Sequence, residues 1–169
     1  GVCDFAVKAQ KADGRFGKAW SNDGKAVDPE GTIGAFLIPP LVTAYRATHK
    51  AGYLQAAERA YAFYIGEYVR NGFTTAGALD THCIDKESAT PLVKGALELY
   101  VVTRKEMYLR QAEDVSYYLA TWQWSYSVPY AEGTVLREMG YDTFGGTAVS
   151  TQHHHQDPYA LIIVNDWLK

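Results

Sequence analysis

Laid over itself with an offset of 55 residues, the chain places residues 41–64 on residues 96–119 without a gap, and seven columns become identical. They are Tyr45/Tyr100, Thr48/Thr103, Lys50/Lys105, Tyr53/Tyr108, Leu54/Leu109, Ala57/Ala112 and Glu58/Glu113. The shared core Thr-x-Lys-x-x-Tyr-Leu-x-x-Ala-Glu is too dense for coincidence and marks an internal repeat. Apolar residues fall at helical spacing on both sides of the motif: Leu92, Ala96 and Leu99 before it, and Tyr108, Leu109, Ala112, Val115 and Leu119 from within it onward. The unit is therefore a helical hairpin, two antiparallel helices joined by a few residues.

The later copy is expected to form helices from about Ser88 to Val102 and from near Glu106 onward. The earlier copy is expected to form them from about Gly34 to Thr48 and from Ala51 to Arg70, with Pro39 and Pro40 in the first turns, where a missing N–H does least harm. Hairpins of about 33–70 and 88–122 follow. A third unit is expected to begin at about 154, with Asp157 and Pro158 opening a helix from Tyr159 to Leu168. The fold class is thus all-α, in a single partial domain covering 1–169. One hairpin cannot bury its own apolar stripe, so each needs neighbours on both sides. Self-association, or a missing remainder of the array, is expected to cover the open flanks.

Composition narrows the function classes. With 47% hydrophobic residues the chain can build one sizeable core. A formal net charge of -3, with both signs interspersed, leaves no basic stripe for nucleic acid. Apolar runs stop well short of the roughly 20 residues that span a bilayer. The start at Gly1, without a basic-then-apolar leader, is expected of a mature product or an excised fragment. Cys3 and Cys83 lie outside any zinc-type spacing, and a disulfide between them stays open.

Three connecting segments are too long and too rich in functional groups to be plain links. Residues 13–31 carry Asp-Gly turns and Trp20. Residues 71–87 bring Asp80, His82, Asp85 and Glu87 to the entrance of a helix. Cleavage of a glycosidic bond needs one carboxylic acid to protonate the leaving oxygen and one carboxylate to activate water or attack the sugar, which makes Asp80, Asp85 and Glu87 candidates. The competing account has Asp85 or Ser88 capping the helix, with Glu87 favoured by its dipole. Residues 121–157 hold Trp122, Trp124 and Tyr126, whose faces suit the apolar faces of sugar rings. They also hold His153, His154 and His155, followed by Asp157 and Tyr159. Successive helical residues point about 100° apart, so at most two of these histidines could share a metal, and no metal is expected. His154 is instead the candidate for proton transfer, and His82, His153, His155, Asp157 and Tyr159 are candidates for substrate contact, Asp157 alternatively capping the last helix or orienting an imidazole.

The repeat register places Thr32, Glu87 and His154 at equivalent points before equivalent helices. In a toroid of such units those entrances gather at one mouth, so the 80–87 and 153–157 segments are expected to meet.

The hairpin motif and the aromatic and acidic loops resemble the six-hairpin glycosidase superfamily, which includes unsaturated glucuronyl hydrolases and related (α/α)6 glycosidases and lyases. The resemblance implies a ring of six hairpins, of which 169 residues would hold about half, since six units of this length need roughly 330. It implies a glycoside hydrolase acting on uronic-acid-containing oligosaccharides, with acidic residues at the mouth, no cofactor, and a periplasmic or extracellular setting. A polysaccharide lyase, a sugar epimerase on the same toroid, and a non-catalytic helical-repeat scaffold are the alternatives.

Overall fold

The computed structural model describes residues 1–75, 83–151, 156–157 and 162–168. The architecture is all-α, with helices packed on helices. A first helix, α1 (Val2–Ala9), leads through a small antiparallel ribbon, β1 (Ala19–Trp20) and β2 (Ala26–Asp28), to a 3-10 turn over Ile33–Leu37. Two hairpins follow: α2 (Ile38–Thr48) with α3 (Ala51–Asn71), and α4 (Ala89–Thr103) with α5 (Met107–Ala120). Beyond them come the short α6 (Val135–Glu138), the strands β3 (Thr147–Ala148) and β4 (Gln156–Asp157), and α7 (Val164–Trp167). No helix among the described residues is long and apolar enough to cross a membrane.

The repeated motif has a local physical cause. Each hairpin turns on a residue in the left-handed region, His49 at φ 57° and Arg104 at φ 59°. Thr48 and Thr103, one residue earlier, donate their hydroxyls to the carbonyls of Ala44 and Leu99, each at 2.7 Å. The same hydroxyls accept the N–H of Lys50 at 3.4 Å and Lys105 at 3.3 Å. A threonine thus ties the last turn of one helix to the start of the next, which leaves no slack in the chain reversal.

The rest of the motif joins one unit to its neighbour. The Glu58 carboxylate receives Lys105 Nζ at 2.6 Å and the Tyr108 hydroxyl at 3.2 Å. Tyr108 also meets Tyr61 edge-on, ring centres 5.2 Å apart. Buried Ala56, Ala57 and Ala60 thin the waist of α3 so that its neighbours approach closely. Between α2 and α4 the approach is closer still: a Cβ on Gly95 would lie 2.8 Å from Ile38 Cγ2.

Pro39 occupies the second position of α2, and the turn before it tightens to 3-10 geometry. The expected third helix differs from its sequence reading. Asp157 lies in β4, paired with Thr147 of β3, and the α-helix begins at Val164. A strand partner claims the backbone of Gln156 and Asp157, so neither can open a helix there. Residues 158–161 lie outside the described ones. Cys3 and Cys83 are separate thiols, Cys3 half-buried and Cys83 buried.

Candidate functional site

Short backbone pairings gather separate segments of the chain near the entrance of α4. Thr75 pairs with Ile84, Asp85 with Ser150, and Gln123 with Thr147, while Thr147 also pairs with Asp157. The Thr151 N–H donates to the Ile84 carbonyl at 3.0 Å, and Trp122 and Trp124 exchange backbone bonds with Gly145, Gly146 and Ala148. Beneath this lattice, Thr32 and Thr75 each donate a backbone N–H to the other's hydroxyl at 2.8 Å, and Ser88 donates to the Thr75 carbonyl at 2.7 Å. The segment before α4 and the segment after α5 therefore meet at one end of the helices, through residues 83–86 on one side and 149–151 with Asp157 on the other.

At the centre sits Lys86, only 1% exposed. Its ammonium lies 2.7 Å from Asp157 Oδ2 and donates to the Val149 carbonyl at 3.4 Å. The other Asp157 oxygen accepts the Thr147 hydroxyl at 2.7 Å. Burying a charge is tolerated only when it is paired and hydrogen-bonded, and this pair meets both conditions. Asp157 is thus a structural anchor for a buried cation, not a helix cap.

Asp85 is 2% exposed. Its Oδ1 accepts the Glu87 N–H at 2.6 Å, so it closes the turn that starts α4, while the Ser88 side chain turns away to Thr75. Its carbonyl accepts the Tyr118 hydroxyl at 3.1 Å and that of Thr74. Burial pushes the Asp85 carboxyl up to about 6, and the nearby Glu87 and Asp157 charges push the same way, against the Glu87 N–H and Lys86. Glu87 is half-buried, which makes it the more accessible carboxylate of the two.

The aromatic candidates divide. Trp122 and Trp124 are half-buried: Trp122 packs edge-on against Tyr118 at 6.1 Å and Trp124 against Tyr126 at 5.4 Å. Tyr126 is 56% exposed. Trp124 Nε1 is buried without a partner among the described residues. A neighbouring hollow of ≈ 400 Å³ is lined by Tyr141, Phe144, Gly146, Gln156 and Asp157, among others. The Gln156 carboxamide is fixed there, accepting the Tyr141 hydroxyl and donating to the Thr143 carbonyl, each at 2.7 Å.

Asp80, His82, His153, His154, His155 and Tyr159 lie outside the described residues. Among those described, no group of three or more His, Cys, Asp or Glu is placed to hold a metal ion. Sequence reasoning missed Lys86, whose partner is 71 residues away and whose neighbours, Asp85 and Glu87, make it read as a surface charge. It also missed Gln156 and Tyr141 as a fixed pair. No model of a protein family, no curated protein and no solved structure matches this chain.

Proposed function

We propose that the chain carries the ligand-binding wall of a six-hairpin, glycosidase-like enzyme acting on oligosaccharides, with uronic-acid-containing sugars as the first class to test. The observation that carries the reading is the buried Lys86–Asp157 pair next to Asp85 and Glu87, at the point where an aromatic-rich segment closes over the entrance of α4. Glycosidic cleavage needs two carboxyl groups in different protonation states. Glu87, the carboxylate with access to solvent, takes the contact with the reacting sugar. Asp85, neutral below about pH 6, spares Glu87 a second buried negative charge below that pH. The other reacting carboxyl falls to Asp80, with His154 as the candidate for proton transfer. Tyr141 and Phe144 offer exposed rings in the hollow, and Tyr126 is a further exposed ring of the same segment.

The test is turnover of a panel of uronic-acid oligosaccharides by the parent, Asp80→Asn, Glu87→Gln and Asp85→Asn. New reducing ends without a new conjugated double bond are expected, with loss of at least about a hundredfold in rate for Asp80→Asn and Glu87→Gln. Asp85→Asn is expected to stay active. A conjugated product would move the reading to a lyase. Undiminished rates in both of the first two variants would remove the carboxylate assignment.

A further inference from the structure

The contact that joins α3 to α5 has a second occurrence that the 55-residue offset does not reveal. In α1, the Asp4 carboxylate accepts the Tyr53 hydroxyl at 2.6 Å and lies within the field of Lys50. Asp4 thus takes the Tyr53 hydroxyl as Glu58 takes that of Tyr108, while its ion partner is the Gly1 ammonium at 2.8 Å. Setting Asp4 over Glu58 also sets Ala6 over Ala60 and Val115, all three buried. The Gln10 carboxamide bonds the Ala56 carbonyl of α3 at 2.8 Å. Across the next junction, Tyr68 of α3 bonds the Asp114 carbonyl of α5 at 3.4 Å. Helices α1, α3 and α5 are therefore successive members of one layer: an acidic residue on α1 and on α3 receives a tyrosine from the next, and at Glu58 a lysine joins it.

The third acid in this series is Glu113. It is exposed, and among the described residues its recorded partner is Tyr117 of its own helix, at 3.0 Å. Beside it runs a groove of ≈ 390 Å³ whose lining includes Leu97, Leu109, Ala112, Ser116 and Trp167. Leu109, Ala112, Glu113 and Ser116 stand 55 residues after Leu54, Ala57, Glu58 and Tyr61, on the helix against which α5 packs. Trp167 of α7 bonds the Ser116 hydroxyl at 3.0 Å and forms one rim of the groove.

From this we infer that the groove is a docking surface for one kind of occupant: a further helix of the same layer, presenting a lysine and, three residues on, a tyrosine to Glu113. A folded second copy cannot supply it. The chain contains two Lys-x-x-Tyr sequences, Lys50 with Tyr53 and Lys105 with Tyr108, and both tyrosines are already engaged, by Asp4 and Glu58. The inference does not depend on the proposed activity.

The experiment uses the full chain extended after Lys169 by a second copy of its own residues 103–120. With Pro158 over Pro91, Lys169 stands at the position of Val102, so the added segment continues the register. The extended chain is expected to gain helix in the far ultraviolet, to shift the Trp167 fluorescence, and to melt about 3–6 °C higher than the parent. Glu113→Lys in the extended chain is expected to remove at least half of that gain, and reversing the added lysine to glutamate should restore it. In the parent, Glu113→Lys should leave the melting temperature unchanged. The inference is overturned if the added segment changes neither melting nor fluorescence, if the gain survives Glu113→Lys intact, or if light scattering shows the parent to be a dimer that Glu113→Lys dissociates.

Discussion

Asp85 and Lys86 are adjacent in sequence and both buried, yet they carry opposite liabilities. A carboxyl raised from 3.8 to about 6 binds its proton more tightly in the folded chain than in the unfolded one. Between pH 4 and 6 the folded state therefore holds more protons, and the stability contributed by this group is full below about 4 and lost as the pH rises through 6. Asp85→Asn keeps an oxygen for the Glu87 N–H and removes the charge. It is expected to stabilise the protein by on the order of 1–3 kcal/mol at pH 7.5 and to give no gain at pH 4, as read by urea denaturation at the two values. Lys86 is the reverse case, because its charge is matched by Asp157. Lys86→Met would leave that carboxylate buried against Thr147 with no cation, at a cost of about 3–5 kcal/mol. Replacing both, Lys86→Met with Asp157→Leu, is expected to recover most of the loss, and the double-mutant cycle measures the coupling.

At the level of the elements, the hairpin turn is the feature most open to change. The left-handed conformation at Arg104 costs a side chain roughly 1 kcal/mol that glycine avoids. Arg104→Gly is expected to raise the melting temperature by about 1–3 °C, and Thr103→Val, which loses both turn hydrogen bonds, to lower it by a similar or larger amount. These turns were legible in the sequence because the Thr-x-Lys motif writes a local geometry in adjacent residues. The two hairpins were legible because period 3.6 is a local signal, and Leu92, Ala96 and Leu99 are all fully buried. The meeting of the 80–87 and 153–157 segments could be argued from repeat register, and its described part is the contact of Lys86 with Asp157, whereas the pairing with residues 149–151 was not foreseen. What stayed hidden is what depends on distant partners. Asp157 read as a helix opener, but its backbone answers to Thr147 and its carboxylate to Lys86. Helix α1 was hidden too, since its likeness to α3 and α5 rests on an acid and a few small residues without the motif. The apolar rings of Trp122 and Trp124 do not say whether they face a ligand or a neighbour. Their half-buried packing on Tyr118 and Tyr126 is set by the fold around them.

Over the whole molecule, the helical layers and the long segment after α5 are held by different means. The layers interlock through apolar faces and repeated side-chain bonds. The segment is laid across one end of them by isolated backbone pairings, and the Lys86–Asp157 ion pair is its deepest tie. Lys86 is the one fully buried lysine among those described. That gives the molecule a built-in chemical reporter. An amine-reactive reagent should acylate the exposed Lys11, Lys25, Lys50 and Lys105 quickly and reach Lys86 only when the segment lifts away. Peptide mass mapping over time would then time that lifting at a single atom. A Lys86 labelled as fast as the others would mean that the segment spends much of its time detached, and a Lys86 untouched until the chain unfolds would mean that the two parts open as one.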